Sequence, residues 1–171
     1  TKVIIKARSQ PICDVPEIGI GNKPIDDGNY LFTKDEMDEF ISKEPGAAQY
    51  FRPWYGAQEF INRNPRYCLY VAEVAPSELR KMPLVIDRIN KVRLFRLNSR
   101  SQGTVDLAQQ PTKFHVTNIL QSTYLLIPRV SSERREWVPI GFMKPQDLCS
   151  DATIVMPNAT LFHFGVLTSS A

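Results

Sequence analysis

The chain has 171 residues, of which 43% are hydrophobic and 23% charged, with a formal net charge of +3. These values are ordinary for a globular domain and exclude disorder over the whole chain, and the absence of a run of about 18 apolar residues argues against a membrane span. The three cysteines are widely spaced and form no C-x-x-C pair, which excludes a zinc ribbon, argues against a disulfide framework and favours free thiols in a reducing cytosol.

Helical signals lie mainly in the middle of the chain, and a few short strands are predicted around them. Prolines and glycines crowd residues 9–29, which favours an extended connector over a helix or a central strand. Thr33-Lys34-Asp35-Glu36 is a capping-box pattern, with Thr as the N-cap and Glu three residues later. The predicted elements are strands at 3–7, 30–32 and 67–74, and helices at about 34–43, 46–51, 57–61 and 76–100 with a break at Pro83. In the predicted helix at 76–100, Val85, Ile89 and Val92 fall on one face by the 3.6-residue period. The polar residues 101–122 are predicted to form a long loop or several short pieces.

The last third of the chain has β-type residues throughout. Because helices and strands are segregated, the sequence predicts an α+β fold, with helices in the middle of the chain packed on a mixed or antiparallel sheet formed mainly by the C-terminal half. The predicted strands are at 124–130, 137–143, 153–156 and 160–167.

No convergent catalytic set is evident in the sequence. His115 and His163 lie outside H-x-x-x-H and H-E-x-x-H spacings, so the sequence predicts no metal site, although a Cys–His pair with Cys68 or Cys149 stays open. Asn64-Pro65-Arg66-Tyr67 resembles the N-P-P-Y motif of DNA amino-methyltransferases, but Arg replaces the second Pro, which favours a turn before a strand. The chain is therefore expected to be a binding module or a non-catalytic part of an enzyme.

One segment, from Arg80 to Arg100, has seven basic residues and a single acid, Asp87. It carries a net charge of +6, whereas the rest of the chain carries −3. Arg93, Arg96 and Arg100 share one face of the predicted helix, where they could contact the phosphates of a nucleic acid. The alternative is a solvated helix face.

A second basic cluster, Arg129 to Arg135, joins two predicted strands. Exposed loops of this kind suit insertion into a DNA groove, where Arg and Ser contact phosphates or base edges. The alternative is a charged hairpin turn. The candidate DNA-binding residues of both clusters are Arg88, Lys91, Arg93, Arg96, Arg100, Arg129, Ser131, Ser132, Arg134 and Arg135.

Short motifs occur in a fixed order over nearly the whole chain. They are Cys13-Asp14-Val15-Pro16, Gly19–Pro24, Gly28-Asn29, Lys43–Ala47, Glu59–Asn62, Arg66–Leu69, Glu78–Pro83, Ile127–Arg135, Ile140–Phe142 and Pro157–Thr168. This series resembles the target-recognition region of large MmeI-like DNA adenine methyltransferases, which serve in restriction and modification.

The resemblance implies a division of the chain at residue 32. Residues 1–32 would be the connector that leaves the methyltransferase domain, and residues 33–171 a single DNA target-recognition domain, excised from a longer cytoplasmic enzyme. Its partners would be double-stranded DNA and the methyltransferase domain, which alone would bind S-adenosylmethionine; this chain would hold no cofactor and perform no catalysis. Two alternatives stay open, a protein-interaction module that docks on the methyltransferase domain and a small hydrolase with a Cys–His pair.

Overall fold

The computed structural model describes residues 7, 9, 11 and 13–169, and within them lie eight strands and six α-helices. The predicted α+β class is confirmed, although the strands form two sheets where one was predicted. The predicted strand at 3–7 falls outside the described residues, apart from Ala7. The strands are β1 (Gly19–Ile20), β2 (Leu31–Phe32), β3 (Phe51–Tyr55), β4 (Arg66–Leu69), β5 (Tyr124–Pro128), β6 (Gly141–Met143), β7 (Leu148–Cys149) and β8 (Thr153–Pro157). The helices are α1 (Lys34–Lys43), α2 (Ala57–Asn62), α3 (Pro76–Leu79), α4 (Pro83–Leu97), α5 (Gln102–Leu107) and α6 (Leu161–Thr168), with a 3₁₀ helix at Pro45–Tyr50.

The first sheet has the order β2-β4-β3-β7 and draws three of its strands from the N-terminal half. Strand β7 joins it parallel to β3, and the other pairs are antiparallel. Its apolar side chains share the larger core with α1 and α4. The capping box before α1 is confirmed, because Glu36 N donates to Thr33 Oγ1 at 3.3 Å and Thr33 N donates to Glu36 Oε2 at 2.7 Å.

The second sheet is antiparallel and has the order β1-β8-β5-β6. It covers a smaller core of Tyr124, Leu126, Met143, Cys149 and Val155. Strands β7 and β8 are close in the chain but belong to different sheets, so the turn between them connects the two halves of the fold.

Residues 19–32, predicted as a connector, take part in both sheets. Gly19 pairs with Val155 in the second sheet, and Leu31 pairs with Cys68 in the first. Between them, a Cβ on Gly21 would lie 2.3 Å from the backbone oxygen of Ser150, so only glycine fits this close approach. The functional division at residue 32 stays a prediction, but this segment folds together with the rest of the chain.

The predicted strand at 160–167 is wrong, because these residues form helix α6. Aromatic and branched residues fill this run, but Thr160 caps the helix together with His163, whose Nδ1 accepts a 3.1 Å bond from Thr160 N. The strands predicted at 67–74 and 137–143 are shorter than expected, ending at Leu69 and beginning at Gly141. In the described part of the chain, no helix is long and apolar enough to span a membrane.

Candidate nucleic-acid interface

Helix α4 carries most of the basic segment 80–100, and its buried face includes an arginine. Val85, Ile89 and Val92 are buried at the spacing of one helix face, and Arg96 continues that face four residues later. Arg96 is 0% exposed. The helix ends at Leu97, so Arg100 lies beyond it. The predicted stripe of Arg93, Arg96 and Arg100 therefore does not form one exposed helical face.

The guanidinium of Arg96 is held entirely by backbone carbonyl groups. Its Nη2 donates to Pro24 O at 2.7 Å and Lys113 O at 2.9 Å, and its Nε donates to Ile25 O at 2.9 Å. Its Nη1 donates to Leu107 O and Gln110 O, both at 3.2 Å. These bonds occupy all five donors of the group and connect α4 to Pro24–Ile25 and to the segment from the end of α5 to Lys113.

The contact of Arg96 with DNA is therefore a wrong prediction, because this side chain is inside the protein and has no free donor. Burial lowers its pKa, while the nearby Tyr30 and Asp26 oppose that shift. Burial in turn raises the pKa of Asp26, opposed by a 2.7 Å bond that its carboxylate accepts from Tyr30 N. Arg96 therefore serves the fold, with its donors bound inside the protein.

The other candidate cations of this segment have mixed environments. The guanidinium carbon of Arg88 lies 4.7 Å from the ring centre of Phe32, and Lys91 pairs with Asp87 at 2.7 Å. Arg93 and Arg100 are exposed. The apolar side chains of Leu94, Phe95 and Leu97, which we call the α4 patch, lie beside them and are 60%, 40% and 46% exposed.

The basic loop, residues 129–140, connects β5 to β6 and carries the second set of candidate residues. Each of its residues from 129 to 138 is exposed. Among the described residues, neither Glu133 nor Glu136 lies within ion-pair distance of an arginine, so the loop cations are not neutralised by direct contacts. Unlike Arg96, these side chains have donors available for a ligand.

Local hydrogen bonds give the basic loop some order. Arg129 Nη1 donates to Asp151 O at 3.2 Å, which holds the start of the loop against the turn before β8. Ser132 accepts bonds from both arginines that follow it, from Arg134 N at its Oγ and from Arg135 N at its carbonyl oxygen. Ser131 is exposed beside them. The structure therefore brings together all five candidate residues of this cluster on one exposed loop.

A cleft of about 550 Å³ lies between α2 and β6, at the end of the basic loop, and we call it the α2–β6 cleft. Phe60 and Met143 contribute apolar surface, and three cations line it: Arg63, Arg135 and Lys144. Arg63 and Lys144 are 81 positions apart in the sequence and were not predicted as site residues. No spacing pattern connects them, because only the packing of α2 on β6 brings them together.

The thiols are poorly suited to nucleophilic catalysis. Cys68 and Cys149 are buried, and burial raises the pKa of Cys68 well above its usual value and that of Cys149 to about 12. A buried thiol with a raised pKa stays protonated near neutral pH, whereas the thiolate is the nucleophile. This environment opposes the Cys–His hydrolase.

The segment Asn64 to Tyr67, which lacks the second proline of the N-P-P-Y motif, runs from the end of α2 into β4. Arg66 opens β4, where it pairs with Trp54, and its Nε lies 3.0 Å from Glu59 Oε1. Asn64 N donates to the backbone oxygen of Glu59 at the end of α2. These contacts make the segment a turn that leads into a strand, as the sequence predicts.

Comparison with known proteins identifies the family. The family model described as "MmeI, target recognition domain" matches residues 1–171. DNA methyltransferase A of Bacillus subtilis (strain 168) is 34% identical over 167 residues, which are 98% of this chain and 19% of that protein. The solved structure of the Type IIL restriction-modification enzyme MmeI in complex with DNA matches with a TM-score of 0.92 and 45% identity, over 99% of this chain and 23% of that one. The chain thus spans about a fifth of the length of these relatives, and it belongs to the MmeI target recognition domain family.

Proposed function

We propose that this chain binds double-stranded DNA and supplies sequence specificity to a restriction-modification adenine methyltransferase, without catalysing methyl transfer itself. The observation that carries the proposal is the basic loop, whose arginines are exposed and unpaired by carboxylates in the described structure. The family supports it, since a relative with 45% identity was solved with DNA.

The loop has the chemistry that duplex recognition requires. Arg side chains neutralise phosphates and can bond bidentately to the edge of guanine, while Ser hydroxyls contact either phosphates or bases. In this proposal Arg129, Arg134 and Arg135 contact DNA together with Ser131 and Ser132. Among the cations of the other basic segment, Arg93 and Arg100 add only a weaker, general attraction, and Arg88 and Lys91 serve mainly in local contacts.

The methyl-transfer chemistry belongs to another part of the parent polypeptide. A methyltransferase domain would bind S-adenosylmethionine and act on an adenine that has left the helix, while this chain holds the surrounding duplex. That domain is the second partner of this chain, and the cytoplasm is where such an enzyme meets bacterial DNA.

The proposal is tested by binding of this chain to a fluorescently labelled DNA duplex. We expect binding that weakens steeply as salt rises from about 50 to about 200 mM, because counterions are released from the phosphates. Competition with unlabelled duplexes of different sequence then measures specificity. A chain that binds no duplex at low salt would contradict the proposal.

A second candidate function, docking on a protein surface, is favoured by the α4 patch. Leu94, Phe95 and Leu97 are exposed next to Arg93, and apolar side chains of this kind suit an apolar surface with an acidic rim better than a hydrated phosphate backbone. Association of this chain with the methyltransferase domain in the absence of DNA, lost on Leu94→Ser/Leu97→Ser, would support this function. Equal association of the variant would exclude the patch.

A further inference from the structure

We propose that the α2–β6 cleft is a seat for one phosphodiester group of the DNA backbone, with Arg63 and Lys144 as its anchors. The inference rests on the proposed DNA binding and adds to it a contact outside the basic loop. It assigns the two residues a role in positioning the duplex, since phosphate contacts fix the register of a protein on DNA.

The charge of the cleft favours an anion. Arg63 and Lys144 are exposed, and within the described residues neither has a carboxylate within 4 Å, in contrast to Lys43 and Lys81, which pair with Glu39 and Glu78. Three cations thus line the cleft against a single carboxylate.

That carboxylate, Asp147, is engaged in the local turn. Its Oδ2 accepts a 3.2 Å bond from Lys144 N, and its own backbone N–H donates to Lys144 O at 3.0 Å. These bonds close the turn after β6 and fix the backbone from which the Lys144 side chain projects. Asp147 therefore orders the cleft while leaving an excess of positive charge.

Packing places the two anchors at the ends of two separate elements, α2 and β6. A Cβ on Gly141 would lie 2.9 Å from Phe60 Cζ, so α2 packs directly on the backbone of β6. Arg63 follows α2 in the left-handed conformation, with φ of 53°, and Lys144 follows β6. Because the fold sets both backbone positions before binding, ordering is confined to the two side chains when an anion enters.

The mixed lining of the cleft fits a nucleotide backbone unit. Phosphate oxygens would lie against Arg63 and Lys144, and the adjoining deoxyribose would pack on Phe60 and Met143. Arg135 also lines the cleft and belongs to the basic loop, so one duplex can contact both features.

The test compares two variants that lose the same charge. In Arg63→Asn/Lys144→Gln the new Asn tolerates the left-handed backbone, so the fold is preserved, as thermal unfolding will verify. The control variant, Lys43→Gln/Lys81→Gln, also loses two positive charges but leaves the cleft unchanged. Each is measured with a labelled duplex across a salt series, and with duplexes in which single phosphates are replaced by uncharged methylphosphonates.

We expect the cleft variant to reduce the slope of log K against log salt by about 0.9, the value for one lost phosphate contact. One methylphosphonate position should weaken the wild type but not this variant, and the control should keep the wild-type slope. Wild-type binding with an unchanged slope in the cleft variant would overturn this inference alone. Absence of wild-type duplex binding would overturn the proposed function and this inference with it.

Discussion

The two basic segments of this chain use arginine in opposite ways. On α4, Arg96 is 0% exposed and donates to five backbone carbonyls, so its donors are used within the fold. On the basic loop the arginines are exposed and have no carboxylate within 4 Å among the described residues. The difference teaches that the density of positive charge along a sequence does not locate a DNA-binding surface. A basic side chain can bind DNA only if its hydrogen-bond donors are exposed and not already bound within the protein.

The largest effect that separates the two regions is expected from Arg96→Met. The substitution removes the only hydrogen-bond donor that the described residues offer to the carbonyls of Pro24, Ile25 and Lys113, whereas Leu107 O and Gln110 O keep a backbone donor. We expect a loss of about 3 kcal/mol or more in the free energy of unfolding. Arg96→Lys should lose less free energy of unfolding than Arg96→Met, because lysine keeps the charge and three of the five donors. Urea unfolding measures both.

The control for this prediction is Arg93→Met on the exposed side of the same helix, which should change the free energy of unfolding by less than about 0.5 kcal/mol. Equal losses for Arg96→Met and Arg93→Met would contradict the structural role of Arg96.

When the basic loop is shortened, we expect a large loss of DNA binding and little loss of stability, the reverse of the expectation for Arg96→Met. Replacing residues 130–138 by Asn-Gly keeps the pairing of Leu126 with Gly141 in the β5–β6 hairpin, and it removes only exposed side chains. We expect the free energy of unfolding to change by less than about 1 kcal/mol, while DNA affinity falls more than about tenfold. Calorimetry and a duplex-binding titration test the two parts. A stable variant with full affinity would remove the loop from the interface.

A smaller effect is expected in thiol labelling. Cys13 is exposed and should react readily in the native chain at neutral pH. Cys68 and Cys149 should react slowly, because burial raises their pKa and little thiolate is present at a pH below that pKa.

Thiol labelling also separates the two regions. Cys68 lies in the core that α4 covers, so Arg96→Lys should speed its labelling by local opening, whereas the shortened loop should not. Mass spectrometry of labelled peptides gives the rate for each site. Faster labelling of Cys68 in the loop variant would contradict the independence of the two regions.

Local sequence signals predicted much of the fold. The capping box placed the start of α1, and Pro83 marked the break before α4. Strand β7 and the separation into two sheets were missed, because they depend on long-range pairing, such as Trp54 with Leu148, that leaves no local pattern. The aromatic content of the α6 residues predicts a strand, whereas the cap at Thr160 favours the helix that forms.

The candidate site was predictable only where a local sequence pattern indicates exposure or burial. The basic loop followed from a polar run between two β-type segments, where exposure is the rule. Arg96 was misplaced although a signal existed, since it lies four residues after Val92 on the buried face. The placement of Arg63 and Lys144 on one cleft could not have been predicted, because it depends on the packing of Phe60 against Gly141.

The central claim is tested most directly by the salt dependence of DNA binding in two triple variants. One is Arg129→Ala/Arg134→Ala/Arg135→Ala on the basic loop, and the other is Lys91→Ala/Arg93→Ala/Arg100→Ala in the α4 segment. Both lose three positive charges, so a general effect of net charge would be equal in the two. We predict that the loop variant reduces the slope of log K against log salt by about 0.9 for each lost phosphate contact, while the α4 variant nearly keeps the wild-type slope. A reduced slope in the α4 variant with a wild-type slope in the loop variant would contradict the account.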